Sequence, residues 1–311
     1  MSWVCSARIF MWSKRLYMIN FKPFFIREEI IKATRAFFYA KKFHEVIVPV
    51  LNDAVPLESH LYPFSTSWNT REGVKKYYLS LSPERGIKRM LAMGIGNCFA
   101  IAKSFRNLEN VGTQHLPEFL MLEWYRENAE YTRVMEDAEN LILSIQTSLR
   151  KKHLTSIIFK PKWKKISLNA LLKKHLKADY EKVMKDKTLG WRERFDQLFV
   201  NEIESKLPRE PFFLVDFPSR ISPLCVPQAG KPHLAKRFEL YIDGMEIGNG
   251  NTENTNSKSV RRALKKPIDE TFLKALDAMD KKTYAGVGLG IDRLAMIFSG
   301  ATDIKEVELL V

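Results

Sequence analysis

The run Arg237-Phe238-Glu239-Leu240-Tyr241-Ile242-Asp243-Gly244-Met245-Glu246-Ile247-Gly248-Asn249 decides how the chain is read. Asp243-Gly244 between two apolar stretches signals a two-residue type I′ turn, because both central residues of that turn need positive φ. Folding about it pairs Ile242 with Met245, Tyr241 with Glu246 and Glu239 with Gly248. Side chains alternate across a strand. Glu239, Tyr241 and Glu246 therefore share one face, and Leu240, Ile242, Met245 and Ile247 the other. Two carboxylates on adjacent strands repel unless a cation lies between them. Mg²⁺ bridging nucleotide phosphates suits such a pair, since it is held by one or two carboxylates plus phosphate oxygens. Taken alone, the pattern fits a solvated sheet face with idle acids at least as well.

Outward from this hairpin, a second one is read over 97–126, with strands at 97–106 and 118–126 around a polar loop. Arg106 ends the first strand, where its planar fork can grip a phosphate or carboxylate. Phe119, Met121, Glu123 and Tyr125 alternate on one face of the second strand, opposite Leu120, Leu122 and Trp124. Phe119 offers a flat surface for a purine, although an aromatic in a strand is more often core. A third run is Gly286-Val287-Gly288-Leu289-Gly290-Ile291-Asp292-Arg293-Leu294. Glycine at every second position bares one face of a strand, so a planar ring can lie on the backbone. Close helix-on-strand packing is the alternative. Arg293 follows in the first turn of the next helix, within reach of a terminal phosphate. The spacing is not G-x-G-x-x-G, and no G-x-x-x-x-G-K-[ST] occurs, which disfavours Rossmann and P-loop sites. No G-x-S-x-G and no Cys–His spacing points to a covalent nucleophile.

The remaining pattern predicts helices over 26–43, 83–93, 132–149, 269–279 and 291–299, and further strands over 45–50, 77–82, 212–217 and 285–290. Ser82 and Pro83 open the 83–93 helix as a cap and a first-turn proline. Residues 150–210 read as a Lys-rich, mainly helical insertion without evident chemistry. The fold class is α+β with mostly antiparallel strands. The 311 residues are 45% hydrophobic and 28% charged, in the range of a globular protein. Fifty Lys and Arg against 36 Asp and Glu give a net charge of +14, which favours a polyanionic partner: RNA, an acidic protein or a nucleotide. Any single Lys run is most simply a solvated helix face. Cys5, Cys98 and Cys225 make neither a CxxC pair nor a disulfide framework, so a reducing, cytoplasmic setting is expected and a zinc site is not. No stretch approaches the roughly 20 apolar residues of a membrane span. Residues 1–18 lack a compact apolar core and a cleavage site, and are expected to be a poorly ordered extension, not a targeting segment.

Together the three runs are more specific than any one. Phe105-Arg106-Asn107, His115-Leu116-Pro117-Glu118-Phe119 and Met121-Leu122-Glu123 resemble motif 2 of the class II aminoacyl-tRNA synthetases. Gly286 to Arg293 resembles motif 3, and the helix and strand over 26–49 resemble motif 1, the family's dimerisation element. Ser82-Pro83-Glu84, Arg237-Phe238-Glu239 and Glu246-Ile247-Gly248-Asn249-Gly250 resemble the lysyl-tRNA synthetase branch. With motif 1 starting near residue 26, no anticodon-binding OB-fold is expected. Residues 19–311 then form one catalytic domain: an antiparallel sheet flanked by helices, with 150–210 inserted. Leu122-Glu123-Trp124-Tyr125-Arg126 on such a core resembles the elongation factor P lysine ligases.

The resemblance implies ATP and Mg²⁺, a homodimer through 26–49, lysine or β-lysine as substrate, and elongation factor P as acceptor, with tRNA as the alternative. It implies that Arg106 binds the α-phosphate and the substrate carboxylate, that Phe119 and Arg293 sandwich adenine, and that Glu239 and Glu246 hold Mg²⁺ with Asn249 beside them. Glu84 would meet the substrate α-amine, and Tyr125 and Glu253 its side-chain ammonium. Asn107, Glu109, His115 and Gly290 fall at the implied ATP site; Ser82, Glu123 and Gly288 fall at the amino-acid site. Several positions depart from the pattern. Leu108 stands where an acid is usual, with Glu109 one later, and the loop between Arg106 and Phe119 is one residue longer. His115-Leu116 is closer to asparaginyl and archaeal aspartyl synthetases. Gly288 stands where elongation factor P ligases often have alanine, Ser222-Pro223-Leu224 is more like true lysyl synthetases, and Asn251 replaces a usual phenylalanine. A core-only enzyme charging tRNA or forming an amide, and a catalytically silent binding module, are the competing readings.

Overall fold

A computed structural model describes residues 9–12, 15–18, 20–54, 61–108, 112–177, 191–264, 269–279 and 281–308. Within the segment read as an N-terminal extension, strands β1 (Ile9–Trp12) and β2 (Arg15–Met18) pair as an antiparallel hairpin. Helix α1 (Lys22–Ala40) opens with proline in its first turn and turns Ile26, Ile30, Ala33 and Phe38 inward. The strand predicted over 45–50 is shorter and split into β3 (His44–Glu45) and β4 (Leu51–Asn52). An exposed hairpin follows, β5 (Ser65–Thr70) and β6 (Gly73–Leu79). Helix α2 (Glu84–Ala92) starts one residue later than predicted, with Pro83 and not Ser82 at its N-cap; the Glu84 amide still donates to Ser82 Oγ at 3.2 Å.

The chain continues through β7 (Cys98–Phe105), β8 (Glu118–Glu127), α3 (Tyr131–Lys151), β9 (Lys164–Ser167), α4 (Leu168–Leu176) and α5 (Trp191–Glu202). Then come β10 (Phe212–Val215), β11 (Pro227–Gln228), β12 (Lys231–Ala235), β13 (Arg237–Ile242) and β14 (Met245–Thr252). Helices α6 (Ser257–Leu264) and α7 (Glu270–Met279), strand β15 (Tyr284–Gly290) and helix α8 (Ile291–Ser299) complete it. One eight-stranded sheet organises the molecule, in the order β3-β7-β8-β15-β14-β13-β10-β9. Its pairs are antiparallel except at the two edges, where β3 joins β7 and β9 joins β10 in parallel. The Lys-rich segment therefore supplies an edge strand to the main sheet as well as helices.

The two faces of this sheet differ. On one, α1, α3 and α8 pack over Leu122, Trp124, Leu240, Ile242, Ile247, Val287 and Leu289 in the largest hydrophobic core. Each large side chain buried there contributes about 1.5–3 kcal/mol. The other face is covered only at its ends. Leu168, Leu172, Phe195 and Ile203 from the Lys-rich segment close over Phe212, Leu214 and Tyr241. Ile87 and Leu91 of α2 close over Cys98, Ala100 and Tyr125 at the other end. Between these two caps the sheet lies open, and there the glycine-bearing strand runs.

The 236–249 hairpin forms with its predicted turn: Asp243 has φ of 53° and Gly244 of 76°. Ile242 meets Met245 and Tyr241 meets Glu246 as read from the sequence. Beyond that the register shifts between Leu240 and Tyr241, so Glu239 lies opposite Asn249 and not Gly248. A bulge absorbs one extra residue on β14. Simple alternation cannot foresee it. It leaves Ile247 in the core while Glu246 and Asn249 both face the cavity.

Candidate active site

A cavity of about 360 Å³ opens on the uncovered face. Its lining includes Arg106, His115, Phe119, Glu239, Glu246 and Arg293. Ser82, Glu84, Glu123, Tyr125, Asn249, Asn251, Gly288 and Gly290 line it as well. Three runs read separately in the sequence thus converge on one space. Phe119, Met121, Glu123 and Tyr125 line it, while Leu122 and Trp124 point away into the core, as alternation along β8 requires.

Arg106 is placed by backbone pairing just past the end of β7: its amide donates to the Pro117 carbonyl at 2.9 Å. Its guanidinium stacks over the Phe119 ring, 5.1 Å from the centroid. Asn107 turns aside and caps its own loop, accepting from the Leu108 amide at 2.9 Å. Leu108 sits in the left-handed region at φ 59°, an uncommon conformation for a non-glycine residue, and is exposed. Glu109 lies outside the described residues. Arg293 spans the site: it donates to the Glu246 carbonyl at 2.8 Å and the Gln114 carbonyl at 3.3 Å, and its Nη2 lies 2.6 Å from His115 Nε2. A guanidinium only donates, so His115 Nε2 is the acceptor in this contact. Neighbouring Asp292 accepts from the Leu120 amide at 2.7 Å and from Arg27 at 2.6 Å, which ties α8 to β8 and to α1.

Glu239 and Glu246 face the cavity together. Arg237 donates to Glu239 at 2.7 Å and the Tyr241 hydroxyl donates to it at 3.0 Å. Burial, then the charge of Glu246, raises the Glu239 carboxyl to about 7 against the opposing pull of Arg237 and Tyr241. Asn249 donates to Glu246 at 3.3 Å. Glu204, from the Lys-rich segment, is raised by burial and by Glu246. Glu239 and Glu246 are two crowded acids whose repulsion a divalent cation would relieve, and carboxylate oxygens suit Mg²⁺.

The glycines of β15 do not share one role. A Cβ on Gly286 would lie 2.3 Å from the Tyr125 ring, so that glycine exists to seat Tyr125. A Cβ on Gly288 would meet nothing closer than Glu123 at 3.6 Å, and one on Gly290 nothing closer than Arg293 at 3.8 Å. Close packing accounts for Gly286, whereas Gly288 and Gly290 leave the strand bare toward the cavity. Tyr125 is buried, and its hydroxyl is held well above its ordinary pKa by burial and then by Glu123, Glu84 and Glu253. It therefore remains a donor.

Glu253 does not line the cavity. Its carboxylate meets the Lys88 ammonium at 2.6 Å and the Asn251 amide at 3.0 Å. Lys88 is fully buried and also lies 2.5 Å from Glu84. Burial opposes its charge, but the two acids overcome this and hold it protonated above the ordinary lysine value. Lys88 was not singled out in the sequence, although Glu84 and Lys88 stand four apart on one helix face. Arg237 was likewise passed over as a site residue; its signal is the two-residue spacing to Glu239 on one strand face.

Residues 14–310 match the model of the class II tRNA synthetases (D, K and N). The chain belongs to that family. Among its relatives, the lysine–tRNA ligase of Pelotomaculum thermopropionicum is 32% identical over 316 residues, covering 90% of this chain and 61% of the relative. The elongation factor P–(R)-β-lysine ligase of Proteus mirabilis is 31% identical over 309 residues, covering 90% of this chain and 92% of that one. The corresponding ligase of Salmonella dublin is 32% identical over 302 residues, again with 90% and 92% covered. The chain thus spans about three-fifths of the lysine–tRNA ligase and nearly all of the two elongation factor P ligases. The α+β fold, with its antiparallel-dominated sheet, is the one read from the sequence and fits that family. Among the described residues, no helix is long and apolar enough to cross a membrane.

Proposed function

We propose that the protein is an ATP-dependent, AMP-forming ligase that activates lysine or β-lysine as its adenylate and passes it to a lysine side chain of elongation factor P. One observation carries the reading: a single cavity is lined by Arg106, Arg293 and Phe119, by the acid pair Glu239 and Glu246, and by Glu84, Glu123 and Tyr125. The arginines, the aromatic ring and the acid pair suit a nucleotide triphosphate; the remaining acids and Tyr125 suit an amino acid rich in ammonium groups. Arg106 would hold the α-phosphate and the substrate carboxylate, and Phe119 and Arg293 would enclose adenine near His115 and Gly290. Arg106 now stacks on Phe119 and Arg293 is tied to His115, so both must shift when the nucleotide enters. Glu239 and Glu246 would hold Mg²⁺, which would neutralise phosphate charge.

In the first step a carboxylate oxygen attacks the α-phosphorus, the new O–P bond replaces the bond to the β-phosphate oxygen, and pyrophosphate leaves. In the second, an uncharged amine attacks the carbonyl carbon, AMP leaves, and the amine loses a proton. Positioning and charge stabilisation by Arg106 and Arg293 supply the catalysis, with no protein nucleophile required. Glu84 would receive the α-ammonium beside Ser82. Glu123 and Tyr125 would receive the side-chain ammonium, with Glu253 adding its field from below. Exposed Tyr39 on α1 and Ile47 in the segment between β3 and β4, with exposed Phe24 and Phe25 just before residue 26, favour a homodimer through 26–49.

A second reading, transfer to tRNA, is favoured by the relatives of both kinds at similar identity and by the +14 charge, which suits RNA equally. The test is pyrophosphate exchange into ATP with lysine and with β-lysine, followed by transfer of labelled amino acid. Label on elongation factor P supports the proposal, and label on tRNA alone supports the second reading. Absence of exchange with every amino acid means a silent module.

A further inference from the structure

The β5–β6 hairpin serves none of the hydrophobic cores formed among the described residues. Residues 65–69 and 71–76 are exposed, on both faces of the ribbon. A two-stranded ribbon alone is marginal in water. This one is anchored at its root, where Leu79 and Tyr78 of β6 pair with Leu51 and Asn52 of β4. The root sits at the rim of the cavity. Leu61 and Ser82, which flank the hairpin in sequence, both line the cavity. The Tyr62 carbonyl accepts from the Asn107 amide at 2.8 Å, beside Arg106. With no core to fill, the ribbon still carries large side chains. Trp68 is 55% exposed and stands edge-on to Tyr77, with 5.9 Å between ring centroids. Lys75 lies 5.8 Å from the Trp68 ring on one face, and Lys76 5.4 Å from the Tyr78 ring on the other. Arg71 adds a third cation at the turn, against one acid, Glu72. Strand β5 is an edge, bonded on one side to β6. Its sequence Ser65-Thr66-Ser67-Trp68-Asn69-Thr70 has neither the charge nor the proline that commonly blocks strand addition.

We infer that this hairpin docks the acceptor protein, by adding an extended acidic segment of it to the free edge of β5. This rests on the reading above and names the surface its acceptor meets. The edge of a strand offers alternating backbone donors and acceptors. Another strand matches that alternation, whereas an RNA backbone presents mainly phosphate acceptors. Trp68 supplies the aromatic anchor that concentrates binding energy. Arg71, Lys75 and Lys76 attract acids on the incoming segment and set its register. A second copy of this chain, at net charge +14, would meet the hairpin with like charge. Docking at the rim lets an acceptor side chain enter the cavity while the rest of the acceptor stays outside.

The test compares wild type, Trp68→Ala and the double variant Lys75→Glu/Lys76→Glu. It measures lysine-dependent pyrophosphate exchange, the Kd for elongation factor P, and amide hydrogen exchange with and without that protein. None of the three residues lines the cavity, so pyrophosphate exchange stays within about twofold in both variants. Binding of elongation factor P weakens about tenfold or more in each. Wild-type binding weakens as salt rises, and the double variant responds less. Amides within 65–70 gain protection when elongation factor P is bound. Wild-type affinity in both variants, or unchanged protection over 65–70, overturns the proposal. So does a joint loss of pyrophosphate exchange and binding, which means a damaged fold. Variants that lose tRNA binding or change sedimenting mass, with elongation factor P binding intact, assign the hairpin to RNA or to a second copy and overturn it too. Wild type that performs pyrophosphate exchange but does not bind elongation factor P sinks the acceptor reading and the docking together. Wild type that binds it through the hairpin without any pyrophosphate exchange sinks the ligase reading and supports the docking.

Discussion

Arg106 concentrates the chemistry at the residue scale. Its backbone is fixed by the Pro117 carbonyl and its side chain rests on Phe119, so the guanidinium can be removed without unpairing the hairpin. Arg106→Ala should therefore keep the wild-type melting temperature within a few degrees and lower pyrophosphate exchange by about 10²–10³-fold, the usual cost of losing one positioned charge donor. Near-normal exchange in that variant would remove the phosphate-clamp role. The sequence made Arg106 legible because it ends an alternating strand beside a loop. It did not make Lys88 legible as a partner of Glu253, because that contact joins two elements brought together only by docking α2 on the sheet.

At the scale of elements, β15 carries a contrast that the glycine pattern alone conceals. Gly286→Ala forces a methyl into the Tyr125 ring and should cost about 1–3 kcal/mol in denaturant unfolding. Gly288→Ala has room beside Glu123 and should leave stability within about 0.5 kcal/mol while raising the lysine KM. Equal destabilisation by the two would mean that both glycines serve packing. A second link joins α2 to α7, where Arg85 donates to Asp269 at 2.5 Å and also reaches Asn52 and Asp53. Burial works against the Asp269 charge, but Arg85 and Thr271 outweigh it and hold its pKa below the ordinary carboxylate value. A depressed carboxylate contributes stability above its unfolded pKa and loses it as pH falls through the folded value. Asp269→Asn should thus cost about 1–3 kcal/mol at neutral pH, with the gap to wild type closing below about pH 4. A gap that persists unchanged in acid would assign the loss to packing.

For the whole molecule, the asymmetry of the sheet matters most. One face carries a continuous core under α1, α3 and α8, and the other is capped at its ends and open at its centre. The outer surface of the 26–49 region is a separate apolar feature, with Ile47 95% exposed. On the homodimer proposed through 26–49, Ile47→Glu should halve the sedimenting mass at micromolar concentration while leaving the monomer folded. An unchanged mass would mean that the dimer forms elsewhere or that none forms. The Lys-rich segment also gains a role at this scale. Read as an insertion without chemistry, it supplies β9, one of the two end caps, and Glu204, whose carboxyl is raised by Glu246.

Local periodicity was enough to determine the two ribbons, their inward and outward faces up to the register shift, the type I′ turn, the helix opening at Pro83 and the order of the motifs. All of these depend on residues within a few positions of one another, where backbone sterics and alternation act directly. The tertiary structure alone decided the register beyond Tyr241, the separate duties of Gly286 and Gly288, and the burial of Lys88 between acids from distant parts of the chain. Those outcomes turn on how docked elements share a fixed volume and a low-dielectric interior, a constraint that no short window of sequence contains.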